Sequence, residues 1–335
     1  MPTPSWVLAI EDVSQVGQAR RLATRLAEQA GFPEEQCGQA ALVATELSTN
    51  LLKYGTQGKL MLQPADWNGD ALLQVLAIDH GPGIADVQRC LQDGVSTGGT
   101  PGTGLGAVQR LSQVFDIHST VGKGTVVFAA CGRRPARPRK ASSFTWTALS
   151  TPAPGETVCG DTWAVRETDG GLDVMVADGL GHGPLAFEAA EMAARAFEAR
   201  PATTVEYLER AHRALQGSRG AALAMARVDP SGAVAYAGLG NISGTIAVDG
   251  KGRGLASQNG TVGLQARRLQ QHTYELPANA LLTMHSDGLS NRWSLDNYVG
   301  LATRHPAVIA GVLYRDMLRG RDDATIVVIR RGTLA

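Results

Sequence analysis

The sequence predicts two units in one chain, an N-terminal α/β sandwich followed by a strand-rich α+β unit whose sheets are flanked by helices. Three observations predict this. At 335 residues the chain exceeds the ~250–300 residues at which a single core stops growing. The stretch CGRRPARPRKASS, with Pro135 and Pro138 among Arg133, Arg134, Arg137, Arg139 and Lys140, breaks both helix and strand periodicity and reads as an exposed linker over 133–143. Before it, two helical patterns precede a few strands; after it, short strands dominate. The units are therefore placed at 1–132 and 144–335.

Residues 15–30 put Val16, Ala19, Leu22, Ala23, Leu26 and Ala30 on one helical face, and 34–54 form a second apolar-periodic helix stopped at Gly55, in the role of a C′ residue. LMLQPADW, ALLQVLAID and GTVVFAAC then read as strands, with a helix from about Leu105 to Phe115 between the last two. After the linker, TWAVRE, LDVMVAD, AALAMARVD, AVAYAGLG, ALLTMHSD and TIVVIR read as strands, with helices near 184–199, 203–216 and 305–318.

Composition narrows the function. Lys plus Arg and Asp plus Glu number 31 each, so no global field draws the chain to nucleic acid or to an anionic membrane. The first residues lack a basic segment followed by an apolar one, and no stretch approaches the ~20 apolar residues of a membrane span, which predicts a cytoplasmic protein. Cys37, Cys90, Cys131 and Cys159 are scattered without metal-ligand spacing and read as reduced thiols.

Four pieces of the first unit carry chemistry together. Glu46 and Asn50, four residues apart, share one face of the second helix, beside an apolar stripe of Leu42, Val43 and Leu47. A strand ends in Asp79, whose carboxylate suits an exocyclic amine, and Gly81 and Gly83 follow, letting backbone approach a ring. The stretch STGGTPGTGLGAVQRL is a Gly-rich loop entering a helix, a geometry that offers backbone N–H groups to phosphates. Thr125 lies on a strand after a glycine turn. Each piece alone would be an ordinary turn or surface face.

In order and spacing these pieces resemble the GHKL (Bergerat) ATP-binding fold: an N-box of Glu46 and Asn50, a G1 box of Asp79, Gly81 and Gly83, a G2 box of Gly102, Thr103, Gly104, Leu105 and Gly106, and a closing strand with Thr125. The resemblance implies that Asn50 holds Mg²⁺ on the ATP phosphates and that Asp79 recognises adenine. ELSTNLLKYGTQGK, LQDGVSTGG and VQRLSQVFDIHSTVGKGT look most like the serine kinases of bacterial partner-switching systems, the RsbT type ahead of the RsbW type. Glu46 is then the candidate catalytic base toward a protein serine hydroxyl, and a homodimer is an open possibility.

Four aspartate sites of the second unit each sit where a strand begins or ends: Asp161 in VCGDTW, Asp178 in VADGLGHG, Asp287 in MHSDGLS, and Asp322 with Asp323 in GRDDATIVVI. One Asp-Gly is ordinarily a turn. Hard divalent cations take oxygen ligands, and carboxylates from several strand ends can hold two ions for attack on a phosphoryl group. The set resembles PPM-type phosphatases of the SpoIIE and RsbX group, a β-sandwich flanked by helices. That resemblance implies two Mn²⁺ or Mg²⁺ ions on Asp161, Asp178, Asp287, Asp322 and the Gly179 carbonyl, with Asp323 less certain and His182 given no role.

Both resemblances together imply an enzyme that adds and removes phosphate on a serine of a STAS-domain phosphoprotein, an anti-sigma antagonist or a stressosome-like scaffold, with another partner-switching regulator as a further contact. A second reading stays open, in which only the phosphatase is catalytic and the first unit senses ATP or docks the partner. A third makes the chain a sigma-sequestering factor with vestigial sites; no metal ligand is lost to support it.

Overall fold

The computed structural model describes residues 5–67, 70–92, 104–132, 142–168, 170–266 and 268–332. The chain divides into two compact units, Ser5–Lys140 and Ala141–Ala335. Among the described residues no helix is long and apolar enough to cross a membrane.

The first unit runs β1 (Trp6–Ala9), α1 (Val13–Gln29), α2 (Glu34–Tyr54), β2 (Lys59–Trp67), β3 (Asp70–Ile78), α3 (Val87–Leu91), α4 (Gly104–Leu111), β4 (Val114–Thr120) and β5 (Gly124–Gly132). Its sheet has the order β1-β2-β3-β5-β4, antiparallel throughout. Asp12 caps α1 by accepting from Ser14 N at 2.7 Å and Gln15 N at 3.4 Å, a device worth about 1 kcal/mol. Leu22, Ala23 and Leu26 of α1 and Ala40, Val43, Ala44, Leu47 and Leu51 of α2 meet Leu60, Leu62, Leu73, Val75, Val127 and Ala129 of the sheet in one core.

Three local expectations change here. Leu42, counted in the apolar stripe of α2, is exposed, while Val43 and Leu47 are buried. Gly55 is not left-handed: its φ is −80°, and glycine stands there because a Cβ would lie 2.6 Å from Leu51 O and 3.2 Å from Asp79 Cβ. The helix expected to reach Phe115 stops at Leu111, because Gln113 N already donates to Ala130 O at 2.8 Å and starts the pairing of β4 with β5.

The second unit holds β6 (Phe144–Thr151), β7 (Asp161–Thr168), β8 (Gly171–Gly179), α5 (Pro184–Glu198), α6 (Thr204–Ala214), β9 (Ala221–Val228), β10 (Ala233–Leu239), β11 (Ser243–Val248), β12 (Lys251–Gly254), β13 (His272–Glu275), β14 (Leu281–His285), α7 (Pro306–Met317) and β15 (Ala324–Arg331). Two five-stranded sheets form, β13-β10-β9-β8-β7 and β12-β11-β14-β15-β6. Period-two alternation splits each strand between layers. On β8, Leu172, Val174 and Val176 enter the core between the sheets with Met284, Val327 and Ile329, while Met175 and Ala177 face Ala189, Phe197, Tyr207 and Leu208 of α5 and α6. Helix α7 packs on β6 and β15. The result is a β-sandwich with helices outside, and the ends of β7, β8, β14 and β15 carry the aspartates.

Candidate functional sites

In the first unit, α2 is fixed on the sheet by its buried face, which leaves Glu46 and Asn50 half-buried along one side. Its C-terminal end meets the strand end that carries Asp79, since a Cβ at Gly81 would lie 2.5 Å from Tyr54 O. Asp79 N donates to Thr125 O at 3.0 Å, and its Oδ1 accepts from Gly81 N at 2.6 Å. The turn before β5 must be glycine: Gly124 has a φ of +94°, and a Cβ there would stand 2.0 Å from Asp79 O. Thr125 is buried and shares a hydrogen bond with Ser119 Oγ at 2.8 Å, and the same hydroxyl accepts from Ile84 N at 2.7 Å. Asp79, Gly81, Ile84, Ser119 and Thr125 thus form one hydrogen-bonded floor.

Of the Gly-rich loop, Gly102 and Thr103 lie outside the described residues. Gly104 opens α4, Gly106 is buried, and Leu105 packs on the core.

In the second unit, Asp161 and Asp178 stand opposite each other in the β7–β8 ladder. Asp161 is 5% exposed and is held by Ser286, whose Oγ donates to Asp161 Oδ2 at 2.6 Å and accepts from Thr325 N at 3.0 Å. Asp287 accepts from Asn241 Nδ2 at 2.8 Å. The two adjacent aspartates divide roles. Asp323 is 3% exposed and accepts from Ala153 N at 2.8 Å through Oδ1, while its Oδ2 is buried with no hydrogen-bond partner. Asp322 is only partly buried, and its Oδ1 accepts from Asp323 N at 2.9 Å.

These acids repel one another. Burial, then the charge of Asp178, pushes Asp161 well above the carboxylate range. Burial, then Asp287, Asp322 and Asp323, pushes Asp178 up to about 8. Burial raises Asp323 as well. Among the described residues none of the five is ion-paired to Lys or Arg. Asp173, at the other end of β8, makes the contrast: Arg227 grips it with Nε at 2.6 Å and Nη2 at 2.8 Å. A buried carboxylate paired in this way is structural; a cluster of carboxylates with no basic partner is a candidate cation site.

The orphaned Asp323 Oδ2 and the mutual repulsion fit a divalent cation. Among the described residues no three Asp, Glu, His or Cys side chains are grouped so as to hold a metal ion by themselves. A hard cation here would therefore complete its shell with backbone carbonyls, such as that of Gly179, and with waters. Ser286, Asn241 and Glu156 were not singled out from sequence. Ser286 precedes Asp287 in HSDG and Glu156 lies five residues before Asp161, so proximity to the motifs was the available signal.

Comparison with known proteins agrees with this division. Residues 10–130 match the family model of the histidine kinase-like ATPase domain, and residues 168–332 match that of stage II sporulation protein E (SpoIIE). Asp178, Asp287 and Asp322 fall inside the second match and Asp161 just before it. The serine/threonine-protein kinase RsbT of Bacillus subtilis (strain 168) is 33% identical over 111 residues, covering 33% of this chain and 84% of that protein. A solved structure described as "The bacterial stressosome: a modular system that has been adapted to control secondary messenger signaling" is 28% identical, with a TM-score of 0.51 over 56% of this chain and 99% of its own. The crystal structure of RsbX in complex with magnesium is 20% identical, with a TM-score of 0.48 over 56% of this chain and 94% of its own.

Proposed function

Because the chain belongs to the histidine kinase-like ATPase family of the RsbT kinase, fused in one polypeptide to a SpoIIE-type PPM phosphatase domain, we propose that it is a two-way switch on one phosphoserine. The first unit transfers phosphate from ATP to a serine of a STAS-domain protein, and the second removes it. The observation that carries the reading is the uncompensated acid cluster around Asp178, present in the same chain as an RsbT-like unit.

In the kinase half, Asp79 would recognise the adenine amine, Asn50 would hold Mg²⁺ with the ATP phosphates, and Glu46 would orient the serine hydroxyl and accept its proton. In the phosphatase half, Asp161, Asp178, Asp287, Asp322 and the Gly179 carbonyl are the candidate ligands of two Mn²⁺ or Mg²⁺ ions. Bound there, the ions supply charge neutralisation and an activated water. Ser286 holds Asp161 at a fixed rotamer, Asn241 holds Asp287, and Asp323 ties the 153–160 loop to the strand end. Fusion keeps one activity near the other's product at an effective concentration up to ~millimolar, so regulation must favour one direction at a time.

The test uses the full chain, a STAS-domain protein from the same genome, labelled ATP and Mg²⁺, with Mn²⁺ added later. Label on serine that rises and then falls is the expected result. Label that never appears, while pre-phosphorylated partner is still hydrolysed, overturns the kinase half and leaves an ATP-sensing or docking module.

A further inference from the structure

We propose that the first unit carries a second ligand site, a cavity at the end of α2 and α4 away from Asp79, and that it takes a free α-amino acid. The ammonium group sits on the side-chain oxygens of Gln36 and Gln113, and the carboxylate on Arg110. The site is independent of the kinase and phosphatase readings above.

The cavity has a volume of about 380 Å³, within the range of small-molecule pockets. Gln36 and Gln39 line it from the first two turns of α2, Arg110 and Ser112 from the C-terminal end of α4, and Gln113 and Gly132 from the ends of the adjoining strands. Each element separates it from the nucleotide residues. Gln36 and Asn50 are fourteen residues apart on α2, ~21 Å of helix. Thr125 and Gly132 are seven residues apart on β5, ~23 Å of strand.

Local structure fixes the walls. Gln36 N donates to Pro33 O at 2.9 Å, which seats the start of α2. Ser112 Oγ donates to Val108 O at 2.6 Å and Gln113 N to Ala130 O at 2.8 Å, so the chain leaving α4 is held against β5. Gly132 has no side chain because a Cβ there would stand 2.3 Å from Leu72 Cδ2 and 2.8 Å from Ala71 O, and the wall this leaves bare is the one beside Gln113 Oε1, 3.4 Å from the same point.

The chemistry of the walls selects the ligand. Gln36 Oε1 and Gln113 Oε1 are both buried and accept no hydrogen bond among the described residues. Two unmet acceptors on one cavity call for a donor-rich group, and an ammonium, with three donors and no acceptor, meets both. Arg110 adds a planar cation that matches a carboxylate. The helix ends agree with this pairing. The C-terminal end of α4 favours a positive group, while the start of α2, which no side chain caps, favours a negative one. Leu111 is the one large apolar side chain of the lining and no aromatic ring belongs to it, so a nucleobase would find no stacking face. A polyamine would meet Arg110 with like charge, and a simple anion would leave both amide oxygens unmet.

The experiment is isothermal titration calorimetry of the full chain with each of the twenty L-α-amino acids, and with acetate and methylamine as half-ligands. Wild type should bind at least one amino acid with a Kd of ~1 mM or tighter, and roughly tenfold or more tighter than either half-ligand. Gln36→Met, Gln113→Met and Arg110→Met should each weaken that binding ~10-fold or more. Without ligand, the two amide variants should melt at or above wild type, since each removes a buried acceptor that has no partner. No binding by any of the twenty, a half-ligand that matches the amino acid, or a Kd unchanged in the three variants overturns the site. Lower melting of both amide variants overturns it as well, because it would show that water already satisfies those oxygens.

Discussion

Replacing Asp178 with Asn should stabilise the cation-free protein and remove much of its pH dependence. Asp178 is pushed up to about 8 from 3.8 by burial and by Asp287, Asp322 and Asp323. At ~1.4 kcal/mol per pH unit, ionising it in the fold costs up to about 6 kcal/mol relative to the unfolded chain. The acids share that repulsion, so removing one charge restores roughly 2–3 kcal/mol. For a unit of this size that is about 4–12 °C in Tm. Between about pH 4 and pH 8 the folded carboxyl holds a proton that the unfolded one has lost, so wild-type stability falls as pH rises through this window. The Asn variant lacks Asp178's share of that slope and keeps the share of Asp161 and Asp323. Thermal melts in chelator at pH 5, 6.5 and 8 should therefore show a small difference at pH 5 that widens to pH 8, with the variant higher. Mn²⁺ should reverse the order by stabilising wild type, by ~4.1 kcal/mol at a thousandfold excess over Kd. A variant that melts at or below wild type at pH 8 in chelator, or a gap that ignores pH, refutes the reading of the cluster as a set of uncompensated charges.

Three other substitutions test the supporting structure. Ser286→Ala strands the buried Thr325 N–H and releases Asp161; a loss of about 1–3 kcal/mol is expected in denaturant unfolding, and a neutral result would mean that Asp161 is positioned by other means. Gly124→Ala forces a Cβ against Asp79 O at a φ of +94°; the first unit should lose roughly 2–4 kcal/mol and fluorescent ATP-analogue binding should fall with it, whereas unchanged nucleotide binding would separate this turn from the pocket. Arg227→Ala leaves Asp173 buried without its bidentate partner; a loss of about 3–5 kcal/mol is expected, largely rescued when Asp173→Asn is added, and the absence of rescue would place the cost in packing instead.

Periodicity made most of the scaffold legible. The apolar spacing of α1 and the near-continuous apolar runs of β8, β9 and β15, buried on both faces, leave few solutions, since a helix or strand must turn its apolar set to a core. Strand β4 is hard to read because VFDIHST is short and follows a helical run without a strong stop; only its partner β5 and the Gln113–Ala130 bond end the helix. Strands β11 to β13 carry short, Gly-rich or charged sequences whose pairing, not composition, makes them strands.

The site divides the same way. Residue type and order alone made Asp161, Asp178, Asp287 and Asp322 candidates, because several carboxylates at strand ends in one unit are more than turns require. The first-unit pocket was legible as four weak pieces in one order, Glu46 with Asn50, Asp79 with its glycines, the Gly-rich loop and Thr125. Sequence does not distinguish Asp173 from Asp178, five residues apart on one strand, since the difference is an arginine 54 residues away. Nor does it show that Asp323 turns inward to hold the Glu156 loop, that Ser286 holds Asp161, or that Glu156 reaches His182 across 26 residues. A motif records which chemical groups are present; burial, partner and charge balance come from residues distant in the chain, and only the tertiary structure brings those together.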